Sequence, residues 1–82
     1  MTITVYSTTT CPYCKMLKDF LIQNNIKFVE KMVDVDENAK TEMSTESGGF
    51  LGVPFSLIIK DDGTKETVLG FDQGKLKTVL GI

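Results

Sequence analysis

The apolar positions of the chain change period repeatedly, and each change marks an element. Ile3 and Val5, with the apolar and aromatic residues around them, read as a short buried strand beginning near Thr2. Residues 7–10 are all hydroxyl-bearing and predict a loop whose side chains cap the helix that follows. From Tyr13 to about Asn24 the set Cys14, Leu17, Leu21 recurs at helical spacing, widened by Tyr13 and Phe20, and Asn24-Asn25 ends the pattern. Residues 27–35 read as a second strand without a clean alternation. Val29, Val33 and Val35 fall on one parity, Phe28 and Met32 on the other. A short helix over residues 37–46 carries only Ala39 and Met43 as an i,i+4 apolar pair, so it is expected to be mostly solvated, with Asp36 and Glu37 at its positive end.

Ser47-Gly48-Gly49 then breaks the chain ahead of Phe50-Leu51-Gly52 and Val53-Pro54. Residues 55–60, with Leu57-Ile58-Ile59 at the centre, are the clearest strand, and Asp61-Asp62-Gly63-Thr64 is a hairpin turn signal. Residues 65–69 return as a fourth strand. Gly70-Phe71-Asp72 makes a corner, and Asp72 caps a last helix with Leu76, Val79 and Leu80 inward. The order β-α-β-α-β-β-α implies an α/β fold: a parallel βαβ unit plus a hairpin in a mixed four-stranded sheet, with helices on both faces.

Composition narrows the function. Eighty-two residues suit one domain, residues 1–82, with a small core, and a monomer is the expectation. The formal charge is −2, and the nine positive side chains are all lysines without a basic run, which gives nucleic-acid binding no support. No stretch is apolar enough for a membrane helix and no basic-then-apolar leader opens the chain, so the expected compartment is the cytoplasm. Only two cysteines are present, in Cys11-Pro12-Tyr13-Cys14, between the first strand and the first helix. Pro12 suits a first-turn position, where its missing N–H is not needed. Unpaired N–H groups and aligned peptide dipoles at a helix start stabilise a thiolate, so the pair suits a reversible disulfide. Two thiols without any histidine make a poor metal site, and a disulfide closing so short a loop stabilises little. In a reducing compartment such a pair points to redox chemistry. Cys11 would sit at the exposed helix end, and Cys14, on the face of Leu17 and Leu21, would turn inward.

The element order and the motif resemble the glutaredoxin branch of the thioredoxin superfamily, for which Cys-Pro-Tyr-Cys is the usual active-site sequence. The likeness extends over nearly the whole chain and includes Val53-Pro54 and the Gly70-Phe71-Asp72 corner. The resemblance implies a thioredoxin-like fold and a thiol-disulfide oxidoreductase. Cys11 would be the attacking thiolate, Cys14 the resolving thiol, Pro12 and Tyr13 supporting residues, and Pro54 a cis proline beside them. Val53 would offer its backbone to a bound thiol substrate, and Thr8, Tyr13, Val53, Pro54, Gly70, Phe71 and Asp72 would line the substrate or glutathione site.

Two departures bear on the reductant. Glutathione-using relatives carry a basic residue where Thr8 stands, and a Gly-Gly pair where this chain has Gly70-Phe71. The glycine–phenylalanine corner looks like the glutaredoxin-like electron donors of ribonucleotide reductase, which take electrons from thioredoxin reductase. Tyr13 argues the other way, as a familiar neighbour of glutathione, and Phe71 also reads as a core residue anchoring the last helix. The implied partners are therefore thioredoxin reductase or glutathione as electron source and a protein disulfide, such as that of ribonucleotide reductase, as substrate. No cofactor is expected to bind tightly. Other classes stay open: a glutathione-dependent glutaredoxin, a redox-inert binding module using Val53-Pro54 and the surface around Phe50, and a glutathione-ligated iron–sulfur carrier. Lys15 is expected to pair with Asp19, and Lys18 to be solvated. The first strand holds no carboxylate to serve Cys14 as a base.

Overall fold

The computed structural model describes residues 1–49 and 52–82; the surface expected around Phe50, and Leu51 beside it, lie outside the described residues. Strands β1 (Thr2–Ser7), β2 (Val29–Met32), β3 (Phe55–Ile59) and β4 (Lys65–Leu69) alternate with helices α1 (Pro12–Gln23), α2 (Glu37–Ser47) and α3 (Gln73–Leu80) in the order β1-α1-β2-α2-β3-β4-α3. The sheet runs β2-β1-β3-β4, with β1 and β2 parallel and the other neighbours antiparallel. This is a thioredoxin-like fold with helices on both faces of a mixed sheet. No helix is long and apolar enough to cross a membrane among the described residues.

Strand parity explains how the core divides. Ile3, Val5, Ile58 and Val68 meet Leu17, Phe20 and Leu21 of α1 and Leu76 and Val79 of α3 on one face. Tyr6, Phe55 and Leu57 meet Met43 of α2 on the other. Burying Met43 fully stabilises by about 1.5–3 kcal/mol, a large share of what holds α2 on the sheet. The rest of that contact is thinner, as the sequence suggests: Ala39 is the other buried residue of α2, and Lys31–Glu42 and Lys65–Glu46 ion pairs flank it.

The second strand is shorter than the 27–35 run. It pairs with β1 from Thr4↔Val29 to Ser7↔Met32, and that ladder ends where β1 ends. Val33 N–H still donates to Ser7 O, after which Val35 and Asp36 N–H turn back to Met32 O. The mixed parity follows from helices covering both faces, since Phe28 packs with the α1 cluster and Val33 with the α2 cluster. Val35 is 73% exposed and belongs to neither. At the hairpin, Gly63 (φ 86°) donates to Lys60 O, and Asp62 Oδ1 accepts from Thr64 N–H.

Candidate active site

Pro12 fixes the site from the first turn of α1. With proline at the first helical position, Cys11 becomes the N-cap in extended conformation (φ −118°, ψ 105°), and its Sγ accepts from Cys14 N–H at 3.1 Å. A sulfur held at the positive end of a helix, with no acidic residue in the first turn, is electrostatically favoured as a thiolate once reduced. Cys11 and Cys14 are joined in a disulfide, their Cα atoms 5.2 Å apart. Cys11 is half-buried and Cys14 is 1% exposed, beside Leu17 on the inward face. Tyr13 between them is 62% exposed.

The hydroxyl run before the motif does other work than the capping expected of it. Ser7 is the last residue of β1, fully buried, and not part of the loop. Thr9 reaches away from α1, donating its N–H (3.0 Å) and Oγ1–H (2.7 Å) to Asp34 Oδ2. Those two bonds hold the Asp34 carboxyl below its usual range and tether the motif loop to the chain after β2. Thr8 is half-buried. A groove of about 580 Å³ lies beyond the tether, lined by residues 33–37 with Lys40 and Thr41.

On the neighbouring strand the Val53–Pro54 bond is cis and Pro54 is buried. Because Tyr6 pairs with Phe55, Pro54 sits at the end of the sheet where β1 leads into the motif. Gly70 N–H donates to Pro54 O at 2.8 Å, which joins the Val53-Pro54 segment to the Gly70-Phe71-Asp72 corner. Gly70 has φ 71°, a left-handed conformation that glycine adopts without penalty. The Phe71 ring meets Phe20 edge-on, centroids 6.0 Å apart, and packs against the α1 core. Phe71 is thus a core anchor for the corner. Asp72 caps α3, its Oδ1 accepting from Lys75 N–H at 3.1 Å. The two cysteines, and Pro54 with Gly70, are brought together; Tyr13 stands out in solvent and Asp72 is committed to its own helix.

Lys18 is not a solvated lysine. Its Nζ lies 2.6 Å from Glu30 Oε2, each side chain 28% exposed, and Ser7 Oγ donates to the same oxygen at 2.8 Å. The Lys18 ammonium first, and the Ser7 hydroxyl second, hold the Glu30 carboxyl below its usual range against partial burial. Lys15 pairs with Asp19 at 2.9 Å as its spacing suggests. β2 thus places one carboxylate, Glu30, on the α1 face of the sheet, where Lys18 and Ser7 engage it. Its signal in the sequence was a lone Glu on the parity of Phe28 and Met32, and Lys18 at i+4 from Cys14.

Known proteins place this geometry. The glutaredoxin family model matches residues 3–61. An uncharacterised glutaredoxin-like protein of 8.6 kDa from the rubredoxin operon of Clostridium pasteurianum is 36% identical over 78 residues, covering 95% of this chain and 96% of that one. Among solved structures, the T8A mutant of the thioredoxin-like protein BC3987 superposes with a TM-score of 0.83 at 34% identity, covering 98% and 95% of the two chains. A glutaredoxin from Archaeoglobus fulgidus gives 0.75 at 28% identity, covering 95% and 84%. A disulfide-forming Cys-Pro-Tyr-Cys at a helix start, on this fold and with these relatives, makes the chain a thiol-disulfide oxidoreductase of the glutaredoxin family.

Proposed function

We propose that the chain is a small dithiol electron carrier of a reducing, cytoplasmic compartment that reduces protein disulfides through Cys11 and Cys14. The observation that carries this reading is the asymmetry of the pair: Cys11 Sγ caps the helix N-terminus and Cys14 is buried beneath it. The reduced Cys11 thiolate attacks one sulfur of a substrate disulfide, forming a mixed disulfide and releasing the other sulfur as a thiolate. Cys14 then attacks Cys11 Sγ, the bond from Cys11 to substrate breaks, and the oxidised Cys11–Cys14 pair remains. Two electrons pass to the substrate. The backbone of Val53, next to cis-Pro54, would align the substrate strand during the exchange. In the Cys14→Ser variant the mixed disulfide should accumulate, whereas Cys11→Ser should have no disulfide reductase activity; retention of activity in Cys11→Ser would overturn the assignment.

The electron source we infer is thioredoxin reductase, used at least as efficiently as glutathione, with ribonucleotide reductase among the candidate substrates. Glutathione brings two carboxylates, and each needs a cation or several N–H donors to offset lost hydration. Thr8 supplies no charge, and both lysines of the motif helix are already engaged, Lys15 with Asp19 and Lys18 with Glu30. The exposed Tyr13 ring favours the second reading, a glutathione-dependent glutaredoxin. Comparing kcat/KM for the two reductants on the same oxidised protein decides between them, and a glutathione route roughly tenfold faster, about 1.4 kcal/mol, would establish the second. Because Phe71 anchors the core, Thr8→Lys is the clean specificity probe, and it should move the ratio toward glutathione.

A further inference from the structure

The sheet face beneath α1 is mostly apolar where it is buried, and the buried polar residues on it, among the described residues, are two serines. Ser7 and Ser56 are both 0% exposed, and they come from adjacent strands. In register, Glu30 pairs with Val5, Val5 with Ser56 and Ser56 with Val68, so one row of the sheet carries Glu30 at one end and Ser56 near the other. Ser7 lies one step nearer the motif on the same face of β1. Lys18 reaches Glu30 in that row, and Cys14 is one helical turn before Lys18 on the same side of α1, toward the motif. Ser56 Oγ is a buried hydroxyl with no hydrogen-bond partner among the described residues. A buried hydroxyl left unpaired is destabilising, and one in the middle of a Phe-Ser-Leu-Ile-Ile strand calls for a reason.

We propose that Ser56, together with the Lys18–Glu30–Ser7 network beside it, forms a polar seat for the Cys14 thiolate. In the disulfide the Cys14 sulfur is neutral and bonded to Cys11, and Ser56 Oγ has no acceptor among the described residues. During resolution Cys14 must give up its proton in a site 1% exposed to water, where the charged form is disfavoured. The Ser56 hydroxyl and the Lys18 ammonium then offset the charge on that sulfur, with Glu30 and Ser7 fixing where the ammonium sits. The Cys14 thiolate displaces the substrate sulfur from Cys11, and the proton it lost ends on the departing substrate thiolate, so the exchange balances. The other groups on this face are apolar near the motif, Val5, Leu17 and Val68, with Leu76 and Val79 from α3. Glu66 shares the face of Val68 but pairs with Ile58, a step farther from the motif.

This inference rests on Cys14 being the resolving thiol. In a Cys11→Ala background, the ultraviolet thiolate absorbance of Cys14 is titrated in wild-type, Ser56→Ala, Lys18→Met and Glu30→Gln forms. In the intact motif, the same three substitutions are followed for release of a preformed mixed disulfide and for the alkylation rate of Cys11. Ser56→Ala and Lys18→Met should raise the Cys14 pKa and slow release several-fold. Glu30→Gln leaves the ammonium uncompensated and should lower that pKa and speed release. Cys11 alkylation should stay unchanged in Ser56→Ala. A purely structural network would shift melting temperature and leave the Cys14 titration in place, and that result, or equal signs for Lys18→Met and Glu30→Gln, would overturn the seat. Failure of Cys14→Ser to trap a mixed disulfide would instead remove the resolving role itself.

Discussion

Two glycines four positions apart, Gly70 at the corner and Gly74 in α3, should respond to alanine with opposite signs. Gly70 has φ 71°, and a Cβ built there meets nothing within 4 Å. Its penalty is therefore conformational alone, about 1–2 kcal/mol for an L-residue in the left-handed region. Gly74 lies within α3 with no positive φ, and its Cβ would meet only Asp72 Oδ1 at 3.6 Å, an ordinary contact. Alanine there restricts the unfolded chain and suits a helix, stabilising by about 0.4–1 kcal/mol. For a domain of this size each kcal/mol moves the melting temperature by about 4–8 °C. Thermal unfolding of the oxidised protein should show Gly70→Ala lowered by about 4–16 °C and Gly74→Ala raised by about 2–8 °C. Gly70 N–H also donates to Pro54 O, so Gly70→Ala should slow disulfide reduction as the corner shifts beside the cis proline. Equal melting temperatures for the two variants, or a stabilised Gly70→Ala, would refute the view that this corner is held by backbone conformation.

Acid stability should report Glu30. Its folded pKa is lowered from 4.5, so its contribution is complete above that unfolded value and is lost as pH falls through the lower folded one; Glu30→Gln should flatten this part of the stability–pH curve, and an unchanged curve would contradict the network. Met43→Ala should lower stability by about 2–5 kcal/mol and increase amide exchange in α2 more than in α1, because Met43 fills the α2 side of the sheet while α1 has its own core; a loss under about 1 kcal/mol would mean that α2 is held mainly by its ion pairs.

What the sequence made legible was the chemistry with a local cause. Pro12 at a first-turn position, the Cys14, Leu17, Leu21 stripe and the Asp-Asp-Gly turn each dictate local structure within a few residues, and each stands where the pattern puts it. The apolar pattern overruns the second strand because apolar character on both parities records burial under two helix layers, while strand length is set by the partner, β1, which stops at Ser7. The sequence pattern leaves Lys18 without a visible partner because Glu30 is twelve positions away and meets it only once β2 packs beside β1. The Thr9–Asp34 contact has no local signal for the same reason, since it spans 25 positions. Phe71 carries two meanings in the sequence, a substitution at a ligand-facing corner and a core residue, and the edge-on contact with Phe20 bears out its core role.

The central claim is that one cysteine of the pair is a helix-capping thiolate and the other a buried thiol. Fully reduced protein is exposed to limiting iodoacetamide at about pH 6–7, below the ~8.5 of a free cysteine, and the modified positions are quantified by mass spectrometry with time. Cys11 should be modified much faster than Cys14, with a rate that levels off at a pH below that of a free thiol, while Cys14 reacts slowly until higher pH. Equal rates at the two positions, or faster modification of Cys14, would contradict the account.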